Sequence, residues 1–119
     1  DEMGTGKNQY SIINSNGNGY GVGLDYVNNL ITFEKRTAWT GTELKIASLT
    51  PSLGNWYTLR LIKIASNFVV EIYNGKVLEY INPVTVINFI DSSYTSFDRV
   101  AVNGGHVFYT DNITVRKLL

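Results

Sequence analysis

Trp56-Tyr57-Thr58-Leu59-Arg60-Leu61 runs, after a short polar break, into Asn67-Phe68-Val69-Val70-Glu71-Ile72-Tyr73-Asn74-Gly75. Both runs are rich in β-branched and aromatic residues, which suit a pleated, half-buried surface. Asn74-Gly75 is the strongest hairpin signal in the chain, because both residues tolerate positive φ. This stretch predicts a long hairpin, 56–64 against 68–73, joined at Ala65-Ser66-Asn67. Residues 76–81 are then expected to pair back after the Asn-Gly turn.

Strand signals continue upstream. Residues 8–13 form a short first strand, and Asn14-Ser15-Asn16-Gly17-Asn18-Gly19 is a turn cluster. In 20–27, Val22, Leu24 and Tyr26 fall on one face and Gly21, Gly23 and Asp25 on the other, a period of two. Asn28-Asn29 reads as a tight turn. Residues 30–35 return, with Ile31, Phe33 and Lys35 opposed to Leu30, Thr32 and Glu34. Residues 36–42 read as a loop carrying Trp39 and Gly41, 43–49 as a strand, and 50–54 as a turn holding Pro51. Downstream, Pro83 ends a strand or places it at an edge. The apolar run 84–90 is either a strand or a loop packed over the sheet. Residues 92–96 are a polar loop, and 99–103 and 107–115 are final strands joined by Gly104-Gly105. About ten short strands and no helix argue an antiparallel sandwich or barrel. Leu59, Phe68 and Ile113 are expected to meet in its interior.

The composition narrows the class. At 119 residues this is a single domain, 1–119, with one core. Its abrupt start, Asp1-Glu2-Met3-Gly4, reads as a piece of a longer protein. Ten basic and ten acidic residues cancel, so no field favours nucleic acid or an anionic membrane. No apolar run reaches the roughly 18 residues a membrane helix needs, so membrane insertion is not expected. There are no cysteines, which removes disulfides, thiolate metal sites and thiol nucleophiles.

The order of these motifs carries a resemblance. Trp56-Tyr57-Thr58-Leu59-Arg60-Leu61, then Asn74-Gly75, then the closing Tyr109-Thr110-Asp111-Asn112-Ile113-Thr114-Val115 resembles the concanavalin A-like (laminin G-like) β-sandwich superfamily, over about residues 20–115. The resemblance implies an all-β, antiparallel two-sheet jelly-roll sandwich. It also implies a non-catalytic carbohydrate-binding or adhesion module of a larger secreted or cell-surface protein, with a glycan or polysaccharide and the neighbouring domains of the parent as partners. The alternative is a structural module that packs on neighbouring domains or on itself and has no ligand.

Candidate site residues follow from chemistry. A pyranose has one apolar face that an aromatic ring can cover. Trp39, in a polar loop beside Thr37, Thr40 and Gly41, is the first candidate platform, followed by Tyr20, Tyr26, Tyr73 and Tyr94; Trp56 is expected in the core. Arg60 and Arg99 are candidate polar partners. Calcium is a candidate cofactor, with Asp91, Asp98, Asp111 and Asn112 as oxygen ligands. The opposing reading of Asp111-Asn112 is a side chain bonded to its own backbone. The carboxylates Glu34, Glu43, Glu71, Glu79, Asp91, Asp98 and Asp111 form no closely spaced array of the kind glycoside hydrolysis uses. His106, the single histidine, lies in a Gly-Gly turn with no nucleophile beside it in sequence. Catalysis is therefore not expected.

Overall fold

In a computed structural model, residues 7–50, 52, 54–104 and 113–115 are described. Among them are eight strands and no helix: β1 (Lys7–Ile13), β2 (Gly19–Asp25), β3 (Leu30–Thr37), β4 (Thr40–Ser48), β5 (Tyr57–Ile64), β6 (Asn67–Asn74), β7 (Thr85–Ile90) and β8 (Arg99–Gly104). They form two antiparallel sheets, a five-stranded one in the order β4-β3-β2-β1-β8 and a three-stranded one in the order β5-β6-β7. The expected all-β, two-sheet sandwich is what the chain forms.

The period of two decides which side chains meet. Pairing Tyr20 with Lys35, Val22 with Phe33 and Leu24 with Ile31 puts Tyr20, Val22, Leu24, Ile31 and Phe33 on one face of the large sheet. Phe68, Val70, Ile72 and Ile87 face them from the small sheet, and all nine are buried in one cluster. Tyr20 stacks on Phe33 at 5.8 Å and tilts against Phe68 at 4.3 Å. Leu59 packs on the edge of this cluster, but Ile113 does not reach it and is exposed. The expected meeting of Leu59, Phe68 and Ile113 is thus corrected at its third member.

The other face of the large sheet explains the alternating glycines. Gly21 is paired with Ser11 on one side and Glu34 on the other. With no side chain on β2 there, Gln9 reaches across from β1 and donates to both Glu34 carboxylate oxygens, at 3.2 and 3.1 Å. The Thr32 hydroxyl donates to the same carboxylate at 3.0 Å. Glu34 is buried, and these bonds offset the loss of its hydration. A Cβ on Gly41 would sit 2.5 Å from the carboxylate, so that glycine also serves the network.

Two connections differ from the sequence reading, and a third is settled. Residues 36–42 are not a loop: β3 and β4 run to a two-residue turn, Ala38-Trp39, with Thr37 opposite Thr40. Asn74-Gly75 does not lead into a returning strand. The Gly75 amide still bonds the Trp56 carbonyl at 2.8 Å, but Thr58 then donates to the Gly75 carbonyl and accepts from Val77, drawing the chain out of the sheet. The third strand of that sheet is β7, so the apolar run at 84–90 is resolved as a strand. The expected strand at 107–115 falls mostly outside the described residues, and Ile113, Thr114 and Val115 lie in none of the eight strands.

Close packing at the start of β2 yields a test. A Cβ on Gly19 would collide with the Ile12 carbonyl, a backbone atom that cannot turn aside, whereas one on Gly21 would meet the Ser11 hydroxyl, which can. Gly19→Ala is expected to lose about 1–3 kcal/mol in urea denaturation, and Gly21→Ala less.

Candidate functional site

The connections β1–β2, β3–β4, β5–β6 and β7–β8 all lie at one end of the sandwich, where backbone and side-chain bonds join them. Asp98 donates its amide to Ile13, Asp91 its amide to Ser66, and Trp39 its amide to Gly17. The Asn14 side chain accepts from the amides of Asn16 and Asn18, which shapes the β1–β2 turn.

Trp39 stands on this end. Ala38 and Trp39 both adopt positive φ, 49° and 73°, as a two-residue hairpin turn of the tightest kind requires. Neither is glycine or asparagine, so the turn is held from outside. Asn18 Oδ1 accepts the Ala38 amide at 2.8 Å, the Gly17 carbonyl accepts the Trp39 amide at 3.0 Å, and Arg36 donates to the Trp39 carbonyl at 2.7 Å. The indole lies over Gly17, where a Cβ would come within 2.5 Å of the ring. Even so, 53% of Trp39 is exposed. One side of the ring is seated on backbone and the rest is offered to solvent, with Asn16, Thr37 and Thr40 exposed around it. Asn14, Gly17 and Asn18 are the supporting residues that sequence reasoning missed; their clustering signalled a turn but not what the turn would hold.

The other candidate platforms are placed differently. Tyr20 is fully buried, which corrects the reading of it as a ligand platform. Its hydroxyl donates to Asp91 Oδ1 and accepts from the Tyr94 amide at 3.2 Å. Tyr73 is also buried, so it too is corrected: it lies under Tyr80, ring centroids 5.7 Å apart, and donates to Glu71 at 2.8 Å. Arg60 pairs with Glu71 at 3.3 Å and lies 4.2 Å over the Tyr80 ring, so it belongs to this cover rather than to a free polar site. Tyr26 is half-buried, and burial pushes its hydroxyl pKa up. Tyr94 bonds Thr37 at 2.7 Å. Trp56 is not core: it is 40% exposed, precedes β5, and carries Lys76 4.0 Å over its ring.

Asp91 does not suit a calcium ion. Its Oδ1 accepts from Tyr20 and, at 2.9 Å, from the Ser93 amide, while Oδ2 faces the Lys35 ammonium at 3.5 Å. A cation there would meet a lysine. Asp98 pairs with Arg99 at 2.9 Å. Asp111, Asn112 and His106 lie outside the described residues. Among the described residues, no three His, Cys, Asp or Glu side chains gather as a metal site would need.

No protein-family model matches the chain, and no solved structure matches it. An uncharacterized protein of Methanocaldococcus jannaschii, MJ1394, is 32% identical over 107 residues, covering 86% of this chain. The chain spans 10% of the length of that relative.

The Tyr20–Asp91 contact makes a pH prediction. Burial, then the bond to Asp91, pushes the Tyr20 hydroxyl up to about 12. Burial alone would raise Asp91, but Tyr20, Ser93 and Lys35 together hold it down at about 2. The Asp91 contribution to stability is therefore present above its ordinary value of 3.8 and lost as pH falls toward 2. The Tyr20 contribution is present below 10.0 and lost as pH rises toward 12. Tyr20→Phe is expected to lower stability at pH 7 by about 1.5–3 kcal/mol. It should also shrink the alkaline step, to which Tyr26, also raised by burial, still contributes, and shift the acid step upward in urea melts across pH.

Proposed function

We propose that the chain is a non-catalytic carbohydrate-binding or adhesion module of a secreted or cell-surface protein, built on a concanavalin A-like sandwich. The observation that supports this is Trp39: a large ring held by a fixed turn, seated on Gly17 and open to solvent elsewhere. Such a ring covers the apolar face of a pyranose at little entropic cost, because its backbone and one side are already immobilised. Asn16 and Thr40 are exposed nearby and can bond sugar hydroxyls. Tyr20, Tyr73 and Arg60 take no part, since each is engaged within the fold.

A glycan array is the direct test. The expected result is a reproducible polysaccharide hit whose affinity falls at least about tenfold in Trp39→Ala, with the thermal midpoint nearly unchanged. No hit, or a hit indifferent to Trp39→Ala, overturns the reading.

A further inference from the structure

Three aromatic side chains are exposed among the described residues: Trp39, Trp56 and Tyr80. Two of these rings already hold a cation of the same chain. Lys76 lies 4.0 Å over Trp56 and Arg60 4.2 Å over Tyr80, contacts that close that face of each ring to a sugar. Trp56 precedes β5 and Tyr80 follows β6, so both also lie toward the opposite end of the sandwich from the Trp39 turn. Trp39 is the ring left open: one side lies on Gly17 and 53% of the residue is exposed. The other aromatic rings at its end are taken up by packing. Tyr94 and Phe97 lie edge-on to Tyr20, 6.0 and 5.9 Å away, and the Tyr94 hydroxyl is engaged by Thr37. The cations beside the turn are engaged as well: Lys35 faces Asp91 at 3.5 Å, and Arg36 donates to the Trp39 carbonyl at 2.7 Å.

Resting on the sugar-binding reading of Trp39, we infer that the site takes one neutral pyranose residue at a time, not a run of residues along a polysaccharide. Recognition of a run needs a second open ring within reach of the neighbouring sugar, and among the described residues the fold closes each one. An acidic sugar needs a cation free to meet its carboxylate, and Lys35 and Arg36 are already bonded. A neutral residue needs a ring for its apolar face and groups that bond its hydroxyls, which Trp39, Asn16 and Thr40 supply at exposed positions. A ligand of about a dozen non-hydrogen atoms on so small a footprint binds with a Kd of roughly 1 mM.

Titration followed by the indole N–H resonances tests this. The chain has two tryptophans, so Trp39 reports the site and Trp56 is an internal control; Trp39→Ala assigns the two signals. The probes are methyl β-glucoside, methyl α-mannoside, methyl β-galactoside and methyl β-N-acetylglucosaminide, each beside a linear hexasaccharide of the same residue, with methyl β-glucuronide as the charged comparison. The expected result is a saturable shift of Trp39, and not of Trp56, with at least one neutral methyl glycoside. Its hexasaccharide, counted per sugar residue, should bind within about threefold of it, because each added residue meets no new ring. The glucuronide should bind no more tightly than the glucoside. A hexasaccharide that exceeds the threefold limit overturns the one-residue footprint and leaves the sugar-binding reading standing. A glucuronide that binds more tightly than the glucoside overturns the neutral specificity in the same way. A Trp39 resonance that no probe moves, or moves no more than Trp56, overturns both this inference and the reading beneath it.

Discussion

Tyr20 joins two kinds of interaction that elsewhere in the molecule are kept apart. Its ring is among the largest side chains in the core, stacked on Phe33 and wedged against Phe68, so it glues the large sheet to the small one. Its hydroxyl leaves that apolar environment at the sandwich end and meets Asp91, just past the last residue of β7. A buried tyrosine needs a partner for its polar tip, and here the partner also fixes where the chain turns from the small sheet back to the large one. Tyr94 and Phe97 of that connection pack edge-on against the same ring, 6.0 and 5.9 Å away. The path from β7 to β8 is thus defined by one side chain of β2.

The rest of the sandwich end is built on this anchor. Lys35 bridges Asp91 and the Ser93 hydroxyl, and Thr37, at the foot of the Trp39 turn, bonds Tyr94. The β3–β4 tip is therefore held on one side by the β1–β2 turn and on the other by the loop that Tyr20 anchors. Positive φ at two ordinary residues is costly, and this support from both sides is what allows it. The rigidity of the Trp39 platform is a property of three connections together.

Much of the framework is legible in the sequence because strand alternation is a local signal. Val22 against Gly21, Phe33 against Thr32 and Val70 against Val69 each take the face that a period of two assigns. Site residues are less legible because aromatic content does not report burial. Tyr20 finds its partner 71 positions away, and Tyr73, on the outward face of its sheet, is buried only because residues beyond Gly75 fold back over it. Asn74-Gly75 has the chemistry of a hairpin, yet the Thr58 hydroxyl diverts the chain, a contact set by β5 and invisible in the dipeptide. The Trp39 turn shows the converse. It lacks the glycine or asparagine such turns favour, and Gly17 and Asn18 of another turn supply the support it needs.

The register of β3 against β4 slips between Phe33 and Glu34, so that Leu44 is an extra residue on β4. A bulge at this place bends and twists the outermost strand of the large sheet and interrupts its row of amides and carbonyls. Glu43 and Lys45 flank the interruption. A flat, regular margin is what templates the stacking of foreign strands into fibrils. The irregular margin of β4 withholds that template along this edge of the large sheet.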